Sequence, residues 1–278
     1  MNLPPINVAA LLKKHHLEPR KSLGQNFLIS DSALEQIVAA AEIPASAAVL
    51  EVGAGLGSLT RVLAASSRKV VAVELDRFLF RILQDVTASQ KNIELVQGDM
   101  LEINPTELMG EPDYLVVANI PYYITSALIR HLIETKFKPL RLVLTIQQEV
   151  ADRICALPGD LSLLALGVQV YGTPRIVLKI PAGAFYPPPK VDSAVVRVDL
   201  LPEPVIPFEN LDLFFRLAKA GFSQKRKTLR NSISAGMHLK PGDAENLLRS
   251  VQIDPQRRAE TLSLTEWRGL TERMAGLL

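Results

Sequence analysis

Within Asn119-Ile120-Pro121-Tyr122 the chain places an amide side chain, a carbonyl beside proline and an aromatic ring on four consecutive positions. Such a group suits one kind of chemistry. The exocyclic nitrogen of adenine is a poor nucleophile because its lone pair is delocalised into the ring. Two acceptors hydrogen-bonded to its two N–H groups would draw it toward tetrahedral geometry and aim the lone pair at an electrophilic carbon. The Asn119 side-chain oxygen can be one acceptor and the Ile120 carbonyl the other, since Pro121 restricts Ile120 to an extended conformation and stiffens the turn. Tyr122 offers an aromatic face to a base taken out of its stack. Taken alone, the four residues are better explained as a strand ending in a proline turn with an aromatic plug. The functional reading depends on what stands upstream.

Upstream stands Glu51-Val52-Gly53-Ala54-Gly55-Leu56-Gly57, directly after an apolar run. Glycines at Gly53 and Gly55 let the backbone turn tightly and approach a ligand that any side chain would block. By itself such a turn could equally hold NAD or a nucleotide phosphate. Two features narrow the choice. Glu74 ends the next apolar run, roughly twenty positions after Gly53, where an acid accepts hydrogen bonds from a ribose diol. Gly98-Asp99 follows the third run and puts a polar side chain where an adenine amine can be read. The pattern is Gly-x-Gly-x-Gly, with Ser58 where a dinucleotide fingerprint would carry its last glycine. Glu51, just before the loop, suits a cationic amino-acid moiety better than a phosphate. Together these are features of an S-adenosylmethionine site. Its sulfonium is already an activated leaving group, so no base of shifted pKa is needed and the amine proton can leave to water. The competing reading, that Glu74 and Asp99 only cap strands, loses force when all three features occur in order.

The elements that must position these residues alternate. Residues 49–52, 70–74, 93–97, 114–118 and 140–146 read as strands, continuously apolar as parallel strands covered on both faces are. Helices are expected between them over 59–65, 78–88, 126–135 and 148–157. Alternation of this kind predicts a doubly wound α/β sheet. Residues 176–180 and 194–200 are strand-like and joined by a proline-rich loop without a helix, which predicts a reversed pair at the sheet edge. Leu201-Pro202-Glu203-Pro204-Val205-Ile206-Pro207 reads as a linker, and the pattern beyond it is purely helical, with Ser263-Leu264-Thr265-Glu266 as a capping box for the last helix. The expected domains are therefore 1–200, including an N-terminal extension over 1–30, a linker over 201–207, and a small all-helical domain over 208–278.

Bulk properties exclude more than they select. The net charge of +2 over 278 residues gives little general attraction to nucleic acid, so any such interface must be local. The single cysteine excludes an internal disulfide and a cysteine-built zinc site. The four histidines, His15, His16, His131 and His238, show no metal-ligand grouping, and no metal is expected. No apolar stretch approaches the roughly eighteen residues a membrane span needs. The first twelve residues lack the layout of a signal peptide, so a soluble cytoplasmic protein is expected.

These motifs, with three more, resemble the ribosomal RNA adenine dimethyltransferases over nearly the whole chain. Lys21-Ser22-Leu23-Gly24-Gln25-Asn26-Phe27-Leu28 matches the family's N-terminal motif, Phe185-Tyr186-Pro187-Pro188-Pro189-Lys190-Val191-Asp192-Ser193 its proline-rich run, and Phe222 to Ser232 its basic run. The resemblance implies a Rossmann-like class I methyltransferase sheet, mostly parallel with an antiparallel edge strand, and a helical C-terminal domain. It implies S-adenosylmethionine contacts from Asn26, Leu28, Gly53, Gly55, Glu74, Asp99, Met100 and Asn119. It implies that Phe185 and Tyr122 sandwich the target base. Lys225, Arg226, Lys227 and Arg230 gather cations within two helical turns and suit phosphate contacts, and Lys13, Lys14, Arg20 and Lys21 could extend that surface. The implied substrate is two adjacent adenosines in the 3′-terminal hairpin of 16S rRNA, in an immature 30S particle, with a monomeric enzyme. The erythromycin-resistance methyltransferases, which modify 23S rRNA, resemble the same motifs. The basic and proline-rich runs favour the small-subunit reading, and the intact Asn119–Tyr122 turn argues against an assembly factor acting by binding alone. A mitochondrial transcription-factor relative would carry a transit peptide, and none is read before the fold. One departure stands out: the chain passes from Arg153 through Leu157-Pro158-Gly159-Asp160 to Leu161-Ser162 several residues sooner than the family pattern, which bears on RNA contacts made by that loop.

Overall fold

The computed structural model describes residues 4–121, 124–224 and 226–277. Tyr122 and Lys225, both assigned roles above, lie outside the described residues. The chain divides into two compact units, Met1–Ala151 with Pro174–Leu200 and Asp152–Thr173 with Leu201–Leu278.

In chain order the elements start with helix α1 (Val8–Lys14), strand β1 (Phe27–Leu28), α2 (Asp31–Ala41), β2 (Ala48–Val52), α3 (Ser58–Ala64) and β3 (Lys69–Glu74). Then come α4 (Arg77–Thr87), β4 (Ile93–Gln97), α5 (Pro105–Met109), β5 (Leu115–Asn119), α6 (Thr125–Ile133), β6 (Arg141–Gln147) and α7 (Gln148–Ile154). The chain continues through α8 (Leu163–Gln169), β7 (Gly172–Ile180), β8 (Phe185–Tyr186), β9 (Ser193–Leu200), α9 (Leu211–Phe222), α10 (Leu229–Gly236), α11 (Pro241–Ser250) and α12 (Leu264–Ala275).

Seven strands form the main sheet in the order β4-β3-β2-β5-β6-β9-β7. β2 is parallel to β3 and β5, β4 to β3 and β6 to β5, while β9 runs antiparallel to β6. The expected reversed pair is present as β9 and β7, neighbours at one edge. The apolar runs are covered on both faces, since the consecutive Val70, Val71, Ala72 and Val73 are all buried; Val49, Val70, Val117 and Val143 share one core with Ile37 of α2, Leu63 of α3 and Leu83 of α4. Burying each such side chain contributes about 1.5–3 kcal/mol. The chain leaves β2 toward β3 and β4 and later returns to β5 on the other side, so strand order reverses beside β2. The crevice outside the C-terminal ends of β2 and β5 is where an open parallel sheet takes its ligand.

Two features of this unit escape periodicity. β1 and β8 form a two-stranded antiparallel sheet, pairing Phe27 with Tyr186 and Leu28 with Phe185. α2, capped at its start by the Ser30 side chain, ends in a pair of arginines: Arg141 donates to the Ala41 carbonyl at 2.6 Å and Arg197 to the Ala40 carbonyl at 3.0 Å. Those are carbonyls that a helix end leaves without partners.

The second unit takes in residues 152–173, which the sequence pattern places before the linker. The reason is pairing between segments far apart in the chain. The backbone N–H groups of Gly159 and Leu161 donate to the Glu260 carbonyl, and that of Val205 to the Val170 carbonyl. The core of the unit is Trp267, fully buried, stacked on Phe222 at 6.1 Å between ring centres and meeting Phe214 edge-on at 6.5 Å. α9 and α10 cross where Gly236 lies on Ala220, with no room for a Cβ at 236. The capping box of α12 is present, with Ser263 and Glu266 bonded reciprocally. Among the described residues no helix is long and apolar enough to cross a membrane.

Candidate active site and cofactor cavity

A cavity of about 220 Å³ opens at the strand-order reversal. Its walls are Leu23–Leu28, the loop after β2 from Glu51 to Leu56, Glu74 and Leu75 after β3, Asp99–Leu101 after β4, and Asn119–Pro121 after β5. Every residue assigned above to the cofactor therefore lines one space, from four strand ends and the N-terminal segment.

The glycine loop is built as its composition requires. Gly53 and Gly55 take φ of +75° and +59°, a region open to glycine and costly for other residues. A methyl group at Gly53 would touch the Asn119 carbonyl oxygen at 3.7 Å, and one at Gly55 would press on the Phe27 ring at 3.3 Å. The loop is thus packed between the Asn119 turn and the N-terminal segment. Phe27 was not singled out by the sequence; its place beside Asn26 and Leu28 was the only signal.

Two buried carboxyls face the cavity. The Glu74 oxygens accept the N–H groups of Gly55 and Asp76, each at 2.7 Å. Burial pushes the Glu74 pKa up, and these backbone hydrogen bonds pull against it. Glu51 is 2% exposed, and its Oε2 has no hydrogen-bond partner among the described residues. Burial raises its pKa to about 8, with the Thr60 hydroxyl opposing and the nearby Glu74 charge adding. An orphaned acid on the wall of a cavity fits a cationic ligand group, which would supply the missing partner.

Asp99 turns its carboxylate back to accept the Leu101 N–H at 2.9 Å, and Met100 is buried against the cavity. Asn119 donates its side-chain N–H to the backbone carbonyl of Asn26 at 3.1 Å. Only the nitrogen end can face a carbonyl, so this bond fixes the amide, and Oδ1 at its other end accepts no hydrogen bond among the described residues. The Asn26 side chain in turn donates to the Gly24 carbonyl. Ile120 is anchored by its own N–H to the Thr145 carbonyl at 3.1 Å, and its carbonyl accepts no hydrogen bond among the described residues.

Phe185 is placed differently from the expectation. It is 3% exposed, packs in the sheet core with Leu28, Leu34 and Val195, and is absent from the cavity wall. Pairing of β8 with β1 draws it inward, because alternate residues of a strand face opposite sides and its neighbour Tyr186 takes the exposed one. The basic run also departs from expectation. Residues 223, 224 and 226–228 lie outside α9 and α10 rather than in two helical turns. Arg226 and Lys227 are exposed there, while Arg230, on α10, pairs with Glu245 at 3.2 Å.

A parallel sheet with one reversed strand, a glycine loop at its switch point and acids ending the next strands define a Rossmann-like methyltransferase. The sequence family described as ribosomal RNA adenine dimethylase matches residues 16–275, and this chain belongs to it. Its methyl donor is therefore S-adenosylmethionine. The chain is 44% identical over 269 residues to the ribosomal RNA small subunit methyltransferase A of Dehalococcoides mccartyi strain CBDB1, covering 96% of this chain and 92% of the relative. To the protein of the same name from Pelotomaculum thermopropionicum it is 40% identical, covering 96% and 95%. Among solved structures, a dimethyladenosine transferase from Plasmodium falciparum superposes with a TM-score of 0.77 at 25% identity, covering 90% of this chain and 98% of that one. The 23S rRNA methyltransferase ErmE superposes at 0.73 with 28% identity, covering 90% and 100%.

Proposed function

We propose that this protein dimethylates the N6 amines of two adjacent adenosines in the 3′-terminal hairpin of 16S rRNA. On this reading it acts as a monomer on an immature 30S particle in the cytoplasm. The observation that carries the chemistry is the Asn119 amide on the cavity wall, its nitrogen held by the Asn26 carbonyl and its oxygen without a donor among the described residues. Identity of 40–44% to proteins named for the small ribosomal subunit favours 16S over 23S rRNA, which the similar fold of ErmE does not decide.

S-adenosylmethionine supplies a methyl group already activated on a sulfonium. The residues of this chain do the rest. Gly53 and Gly55 bring the backbone to the ligand, Glu74 takes its ribose diol, Glu51 its amino group, and Asp99 its adenine amine, with Asn26, Leu28 and Met100 closing the walls. Asn119 Oδ1 and the Ile120 carbonyl accept the two N–H bonds of the target amine and aim its lone pair. Pro121 holds their spacing, and Tyr122 stacks on the base. Phe185, built into the core, supports Leu28 from behind. Arg226 and Lys227, with Lys225, contact RNA phosphates.

The test is to map tritiated methyl incorporation on immature 30S particles and on free 23S RNA. Label in the 3′-terminal hairpin of 16S rRNA is expected; label confined to 23S RNA would overturn the substrate assignment.

A further inference from the structure

The N-terminal segment Arg20–Leu28 contributes a cavity wall and the carbonyl that orients Asn119, yet only its last two residues belong to a strand. What fixes its front half is a single buried acid. Asp76, 5% exposed, accepts through Oδ2 both the Gln25 side-chain amide at 3.1 Å and the Arg20 guanidinium at 3.3 Å. Gln25 in turn accepts the Arg20 backbone N–H at 2.7 Å, so the strap is knotted on itself where it meets Asp76. The Arg20 guanidinium also lies over the Phe78 ring, 5.2 Å from its centre. The other Asp76 oxygen caps α4 by accepting the Phe78 N–H at 2.9 Å, and its own N–H is the one bonded to Glu74. Asp76 thus stands between the acid assigned to the ribose and the strap that holds the Asn119 amide.

We infer that Asp76 is a positioning residue for methyl transfer, latching the strap through Gln25 and Arg20 so that the Asn26 carbonyl keeps the Asn119 amide aimed. The inference rests on the reading of Asn119 given under Proposed function. Asp76 touches neither the methyl group nor the base; it acts through the strap. A second anchor, the β1–β8 pairing with the Ile29 N–H on the Ala184 carbonyl at 2.9 Å, holds the far end, so losing the latch loosens the strap without releasing it.

Asp76→Asn separates the latch from the cap. The remaining oxygen can still accept the Phe78 N–H, whereas the new amide N–H₂ would face two donors, the Gln25 amide and the Arg20 guanidinium. Gln25→Glu alone sets a second carboxylate against Asp76. The double variant moves the acid from one side of the contact to the other: the carboxylate at 25 can accept from the Arg20 N–H and from the amide at 76.

With saturating S-adenosylmethionine and 30S substrate, each single variant is expected to lower kcat about ten- to a hundred-fold, as for a small misplacement of a reacting group. Hydrogen exchange of the amides over 20–27 should speed up in both, with cofactor affinity by calorimetry changed less than kcat. The double variant should recover most of the rate and the protection, a sign reversal that a helix cap alone would not produce. A double variant no faster than either single, or an Asp76→Asn enzyme with a loosened strap and normal kcat, would overturn the latch. Normal methylation by Asn119→Ala would sink the role given to Asn119 and this inference with it, whereas a slow Asn119→Ala beside an Asp76→Asn enzyme of normal kcat would overturn the latch alone.

Discussion

Around the cavity, polar groups are spent on one another: Glu74 on two backbone N–H groups, the Asn119 nitrogen on the Asn26 carbonyl, Asp99 on the Leu101 N–H. Between α9 and α10, Arg226 and Lys227 stand exposed, outside both helices. The first region selects by fixed direction, the second attracts by charge. That difference predicts which measurement each substitution moves. Changes in the cavity should alter rate and cofactor affinity with little regard to salt, and changes in the turn should alter RNA binding in a salt-dependent way.

The largest effect is expected from Asn119→Ala, which removes one of the two acceptors assigned to the target amine. Methyl transfer should fall about a hundred- to a thousand-fold, as on losing a hydrogen-bonding group that stabilises a transition state, with S-adenosylmethionine binding retained. Single-turnover rates and calorimetry check both halves. Glu74→Ala comes next. Loss of a charged hydrogen-bonding partner should weaken cofactor binding about ten- to a hundred-fold, and unchanged affinity by calorimetry would remove its ribose role.

Glu51 tests whether the cavity holds one polar group in reserve. With a pKa pushed up to about 8, its carboxyl is largely neutral in the free protein at pH 7. A cationic ligand would ionise it, so binding between pH 6 and 8 should release a proton and tighten as pH rises, levelling off above 8. In Glu51→Gln that proton release should vanish, which calorimetry in buffers of different ionisation enthalpy reads directly. The sign for stability is opposite. The folded pKa lies above the ordinary value of 4.5, so the wild type loses stability relative to Glu51→Gln as pH rises from about 4.5 to 8. Melting temperatures of the two across that range measure the gap. The smallest effect belongs to the turn: Arg226→Ala with Lys227→Ala should raise the KM for RNA several-fold and lower the salt slope by about one for each phosphate left without its cation. Arg230→Ala, already paired with Glu245, should leave that slope unchanged.

Much of this was legible in the sequence where a physical rule acts over several residues. Continuously apolar runs marked the strands because both faces of a parallel sheet are covered, and the run 49–52 lies within β2, whose residues are all buried; β4 at the sheet edge, with Glu94 and Gln97 exposed, is the less covered exception. Gly53, Gly55, Glu74 and Asp99 were legible because ligand approach limits which residue types fit at strand ends. What stayed hidden depends on pairing between distant segments. β1 and β8 are two residues each, too short to show a period, so neither the strap nor the burial of Phe185 could be read. Asp76 looks in sequence like an ordinary helix cap before Arg77, and its second oxygen acquires a use only when Arg20 and Gln25 arrive beside it. The grouping of 152–173 with the C-terminal unit likewise rests on hydrogen bonds to Glu260, a hundred residues away in the chain. Arg230 belonged by spacing to a basic cluster, and only the approach of α11 shows where its charge goes.

The contact of Gly236 on Ala220 sets a rule for how this protein can change. Two helices that meet backbone to backbone, beside a buried tryptophan, tolerate no larger residue at the crossing, and the turn joining them is held at both ends whatever its own composition. The exposed Gln224, Arg226 and Lys227 are therefore free to vary in charge while the frame that carries them is not. On the reading that these cations contact RNA phosphates, a library confined to them would sample RNA affinity at little risk to folding.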